Sequence, residues 1–204
     1  MLTGSKTFVP KKFNKDCQPD LHGQKTIQPT IRHLGREQAA YVWYACYGSN
    51  MAEERFMYYL QGGRCKYNGK EYDGCRDKSA PKAKKAITIP FEMYYGNCSR
   101  NWNNCGVSFL DSSRSGKTLG RMYLISKEQF EEVRRQEGPG DCWYNQVIYL
   151  GKDSGYEIYT FTNKTRRKEN EPDAGYISVI RQGLIETYPQ ITEKELKEYL
   201  ATGN

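Results

Sequence analysis

Residues 41–60 constrain the fold more than any other stretch. The run from Tyr41 to Tyr47 is apolar and aromatic, the composition of a short buried strand. It stops at Gly48, Ser49 and Asn50, three residues that favour turns and caps. The ten residues from Met51 to Leu60 then lack Gly and Pro and are rich in helix formers. Ser49 or Asn50 is placed to cap that helix, and Glu53 and Glu54 in its first turn suit the dipole. A strand that turns directly into a helix N-terminus gathers backbone N–H groups into a small anion-binding pocket. The same pattern also describes an ordinary strand-to-helix connection, so other stretches must decide between the two.

Downstream, residues 64–85 read as polar loop, and residues 86–95 as a strand interrupted by Pro90, which predicts an edge or a bulge. Residues 96–105 form a polar loop with one Trp, suited to covering a pocket. Strands are expected at 106–110 and 118–125, with a turn at 111–117. Ser126 and Gln129 form a capping box for a helix running to about Gln136, with Phe130 and Val133 on its buried side. That helix delivers Glu137 and breaks at Gly138. Residues 143–150 and 156–162 alternate like strands across a Gly-rich turn and predict an antiparallel hairpin. A helix over 174–186 carries Ile177, Ile180, Leu184 and Ile185 at helical spacing, and Thr192 with Glu195 opens a last short one. The order predicts an α+β fold with a largely antiparallel sheet flanked by helices.

Length and composition narrow the class. The 204 residues suffice for one domain with an extension. Residues 1–40 hold three prolines, many lysines and few apolar residues, and read as a disordered or surface-wrapped extension to a domain over 41–204. Seven cysteines without a Cys-x-x-Cys, beside only two histidines, argue against a structural zinc site and for reduced, packed thiols. Neither a signal-peptide core nor an apolar run of roughly 18 residues is present, so the expected place is the cytoplasm, with no membrane partner. The net charge of +7 is modest, and the basic runs at 82–85 and 166–168 flank turns, reading as solvated loops rather than a nucleic-acid footprint.

Tyr47, Gly48, Ser49 and Asn50, followed in order by a Gly-led strand at Gly106, a second at Gly120, then Gln136-Glu137-Gly138, Tyr144, Tyr159 and the region from Pro172 to Gly183, resemble the gamma-glutamylcyclotransferase-like family. The resemblance covers about residues 41–190. It implies a small, mixed, barrel-like and mostly antiparallel sheet flanked by helices. Arg121 departs from it by putting a charge into the second Gly-led strand, which predicts an edge or pocket-facing position. The activity implied is conversion of a gamma-glutamyl amino acid or amine to 5-oxoproline, without metal or cofactor. The partner implied is a small gamma-glutamyl compound, and a homodimer remains open.

That chemistry needs few groups. The substrate's own α-amine attacks its γ-carbonyl, so holding the chain in a folded shape supplies much of the rate. One base must remove the ammonium proton and can later protonate the leaving amine, which a carboxyl with a raised pKa can do. The resemblance gives that role to Glu137. It gives substrate binding to Tyr47, Gly48, Ser49 and Asn50, and pocket lining to Tyr144 and Tyr159. Arg55, one helical turn beyond the loop, could meet a substrate carboxylate, or pair at the surface with Glu54. A gamma-glutamylamine, glutathione or a biosynthetic intermediate as substrate, and a pocket that binds without turnover, are alternatives on the same fold.

Overall fold

The computed structural model describes residues 40–202. The expectation for the N-terminal extension lies outside them, apart from Ala40.

Five strands form one sheet in the order β4-β5-β1-β7-β6. The central strand β1 (Tyr41–Cys46) is the aromatic run, and five of its six residues are buried. It pairs antiparallel with β5 (Cys105–Ser126) and parallel with β7 (Tyr156–Thr162). A strand covered on both faces needs a continuous apolar run rather than alternation, which is why this stretch was legible. At one edge lies β4 (Ala83–Ser99), and at the other β6 (Gln146–Asp153), which forms the expected hairpin with β7. Pro90 falls at a register shift in the edge strand β4, the two placements that tolerate a missing N–H.

The sequence reading divided β5 in two, and the structure does not. Residues 112–114 form a bulge opposite the step from Phe91 to Glu92, so the turn-forming residues bend one 22-residue strand instead of ending it. Beyond that bend the β4–β5 ribbon folds over the end of β7. Thr162 stitches the two together: its Oγ1 accepts from Leu110 N at 3.0 Å and donates to Leu110 O at 2.9 Å. The stretch after β7 straps the ribbon through single bridges from Gly96 to Glu169 and from Gly106 to Pro172. The polar region 64–85 also holds a small hairpin, β2 (Gly63–Arg64) with β3 (Glu71–Tyr72).

Four helices among the described residues flank the sheet. α1 (Glu53–Gln61) follows β1 through a 3-10 turn at Ser49–Met51. The helix does not start where the sequence placed it: Ala52 is extended and is the N-cap, and neither Ser49 nor Asn50 caps it. α2 (Lys127–Glu137) carries the full capping box between Ser126 and Gln129 and buries Phe130 and Val133. α3 (Ala174–Thr187) is capped by Asp173 and buries Tyr176, Val179, Ile180 and Leu184. α4 (Glu193–Thr202) follows. α3 packs directly on the 3-10 turn at Gly183, where a Cβ would lie 2.4 Å from Ala52 N and Met51 C. Only a residue without a side chain allows that approach.

Candidate active site

The 3-10 turn after β1 forms one wall of a cavity of about 600 Å³. Its other walls come from α1, the end of α2, the loop after it, the tip of the β4–β5 ribbon, β3, β7 and α3. The turn's position is fixed from beneath by polar groups. Arg121 Nη1 donates to Met51 O at 2.7 Å, and Tyr123 Oη donates to Asn50 O at 3.1 Å. Arg121 is 4% exposed and ion-paired with Glu186 at 2.8 Å. It is therefore neither at an edge nor pocket-facing: its charge is spent on orienting a backbone carbonyl of the turn.

Glu137 is the last residue of α2 and the one carboxylate on the cavity wall among the described residues. Asn50 Nδ2 donates to its Oε1 at 2.6 Å and to Tyr44 Oη at 3.3 Å. This contact joins two motifs that lie 87 residues apart. Asn50 Oδ1 is buried and has no hydrogen-bond partner among the described residues. Glu137 remains half-buried as a residue, but protein atoms crowd its carboxylate, and this desolvation raises its pKa above the usual glutamate value. Opposing it are the positive charge of Arg55, hydrogen bonds from Tyr59 and Asn50, and the charge of Lys70.

The other sequence-predicted residues sort cleanly by position. Gly48, Ser49 and Asn50 line the cavity. A side chain at Gly48 would meet Tyr176 Oη at 2.8 Å and Ser108 Cβ at 3.2 Å. Tyr47 also lines it, and its Oη donates to Phe161 O at 2.9 Å, so it packs against β7 beneath the turn. Tyr144 faces the cavity from the loop after α2, stacks on Phe109 at 5.0 Å and donates to Ser108 O at 3.0 Å. Tyr159 does not line the cavity. It shares a face of β7 with cavity-lining Phe161 but lies one strand step behind it. There it packs on Phe130 and Tyr149 and donates to Glu157 at 3.0 Å. The polar loop expected over a pocket does form part of its wall, through Cys98, Ser99, Arg100, Asn101 and Trp102.

Several site residues escaped sequence reasoning. Tyr176 accepts from Ser108 N at 3.0 Å and donates to Ser108 Oγ at 3.1 Å, closing the cavity floor. Tyr59 and Tyr72 clasp Arg55, which is buried rather than paired with Glu54 at the surface; Glu54 pairs instead with Lys66. The one available signal was the i, i+4 spacing of Arg55 and Tyr59 on α1. Tyr72 comes from a hairpin that the polar composition hid. Among the described residues no cluster of His, Cys, Asp or Glu is arranged to hold a metal ion.

The backbone is similar to several solved structures. An uncharacterized protein from Homo sapiens matches 80% of this chain and 88% of its own, with a TM-score of 0.57 and 19% identity. A gamma-glutamyl cyclotransferase matches over 77% and 86%, with a TM-score of 0.55 and 19% identity. YkqA from Bacillus subtilis matches over 84% and 58%, with a TM-score of 0.52 and 20% identity. The fold is therefore that of the gamma-glutamyl cyclotransferases, a mixed α+β unit with a mostly antiparallel sheet flanked by helices. In sequence, histone deacetylase 5 of Arabidopsis thaliana is 28% identical over 199 residues. The match spans 78% of this chain but only 30% of that curated relative's length. No protein-family model matches the chain. Among the described residues no helix is long and apolar enough to cross a membrane.

Proposed function

We propose that this chain is a gamma-glutamylcyclotransferase-like enzyme that releases 5-oxoproline from a gamma-glutamyl amino acid or amine. The observation that carries this reading is the Glu137 carboxylate, held by Asn50 at 2.6 Å on the wall of the cavity that the 48–50 turn also forms. The reaction needs one base beside a bound α-ammonium, with no second nucleophile from the protein.

In this reading the substrate's ammonium faces Glu137 and the buried, unpartnered Oδ1 of Asn50. Glu137 takes one proton, the freed amine attacks the γ-carbonyl, and the C–N bond to the leaving group breaks as the lactam closes. Glu137 then returns that proton to the departing nitrogen, and the attacking nitrogen's second proton also passes to the departing amine, leaving a neutral lactam N–H and an ammonium product. The backbone of residues 48–50 holds the glutamyl carboxylate or the developing oxyanion. Tyr47 supports that turn and Tyr144 encloses the glutamyl part. A carboxyl whose pKa is raised by burial suits both proton transfers near neutral pH.

The test is 5-oxoproline release from γ-Glu-Ala, γ-Glu-ε-Lys and glutathione by wild type and Glu137→Gln. The expected result is release by wild type that falls at least ~100-fold in the variant, the scale of a lost general base. Release that persists in the variant would move the base elsewhere. A folded wild type that releases nothing from these or further gamma-glutamyl compounds, yet binds L-glutamate by calorimetry, would favour a binding protein.

A further inference from the structure

Arg55 is a cation with no direct counter-ion among the described residues. It lies on α1, beside Glu53 and Glu54, yet those two pair outward with Lys84 and Lys66. Arg55 turns inward and is 2% exposed. Its guanidinium lies 4.8 Å from the ring centroids of both Tyr59 and Tyr72. Nη2 donates to Tyr72 Oη at 2.5 Å and to Tyr59 Oη at 3.4 Å. Nε and Nη1 are buried and unpartnered, and Arg55 makes no ion pair among the described residues.

A guanidinium does not escape burial by losing its proton, so its charge must be offset by its surroundings. Two aromatic faces supply part of that offset. The rest lies on the side of the cavity, whose lining Arg55, Tyr59 and Glu137 share. Tyr59 shares hydrogen bonding with both, and the Glu137 charge acts on Arg55 as Arg55 acts on Glu137. The groups facing Glu137 are Asn50 from the turn, Tyr44 and Tyr47 at the end of β1, Arg55 and Tyr59 from α1, and Lys70 from the hairpin. Cys46 on β1, Tyr72 from β3, Tyr144 from the following loop and Tyr176 from α3 face it as well. Arg55 and Lys70 are the only cations among them. The tyrosines are held neutral by burial.

We propose that Arg55, acting through the Tyr59 hydroxyl, is a positioning residue that keeps the Glu137 carboxylate ionised and ready to accept a proton. This rests on reading Glu137 as the base. The interposed phenol is the functional point. A direct bidentate Arg–carboxylate pair would occupy both oxygens and hold the proton affinity too low for a base. A charge set one side chain back opposes desolvation while leaving the carboxylate open toward the cavity.

The test is an infrared titration of the protonated carboxyl band, assigned to Glu137 by its loss in Glu137→Gln, with kcat/KM followed over the same pH range. Arg55→Met and Tyr59→Phe are expected to move the titration midpoint and the acid limb upward by about one pH unit or more, the scale of a lost neighbouring charge. Arg55→Lys, which keeps the charge, is expected to move them less. A folded Arg55→Met with a wild-type midpoint would overturn the proposal. If Arg55→Met does not fold, Arg55→Gln takes its place, and a wild-type midpoint in Arg55→Gln or in Tyr59→Phe would overturn the proposal. The band reads Glu137 directly, so it separates this inference from its premise. Cyclotransfer that survives in Glu137→Gln would remove Glu137 as base and leave the coupling to Arg55 measured.

Discussion

Glu137 ends α2, where the helix dipole already disfavours an anion, and its surroundings disfavour one further. The cost has a definite sign. Its pKa is raised on folding, so its contribution to stability is fully present below the unfolded carboxyl pKa and is lost as pH rises through the raised folded value. Glu137→Gln cannot ionise and lacks that loss. Denaturation midpoints of wild type should therefore fall relative to the variant as pH rises from acid to neutral. A difference that stays flat with pH would show a carboxyl as well solvated in the folded protein as in the unfolded chain. The same residues mark what a sequence can disclose. Asn50 and Glu137 were legible because turn chemistry and an ordered set of short motifs announced them. Arg55 was not, since a cation one turn into a helix beside two glutamates ordinarily belongs to the solvent. Its burial is decided by Tyr72, 17 residues on, in a hairpin with no apolar pattern.

Among the elements, the helices and the central strand announced themselves most clearly. β1 is apolar because both of its faces are covered, and α2 carries its start signal in Ser126 and Gln129. β5 was misread because its bulge uses the residues that end other strands; only the register with β4 reveals that it continues. Gly183 of α3 carried no local signal, since its role depends on the turn at Met51 and Ala52 packed against it. Its replacement is a test of how tightly that turn is held. Gly183→Ala places a methyl against backbone that has no rotamer to yield, so the predicted cost is about 1–3 kcal/mol in urea denaturation. The methyl pushes on the turn that forms the cavity wall, so KM for the proposed gamma-glutamyl substrate should rise as well. Wild-type stability and KM together would mean that α3 and the turn separate more readily than their packing implies.

Across the whole molecule, no single segment contains the site. The turn comes from the end of the first quarter of the chain, Glu137 from about two-thirds of the way along, and Tyr176 and Gly183 from near the end. The sequence supplied these parts in order but not their meeting, because contacts across 87 and 68 residues leave no local trace. The docking of Gly183 on the 3-10 turn has a consequence in time. Chain closure over such separations is slower than forming a hairpin or a helix. In refolding from denaturant, far-UV ellipticity should therefore recover ahead of the proposed 5-oxoproline release, and the lag should lengthen in Gly183→Ala. Simultaneous recovery of both signals in the two proteins would show that the turn takes its final shape before α3 arrives. Otherwise the proposed active site is the last thing this chain completes, and the closing step belongs to a helix that contributes almost no reactive group of its own.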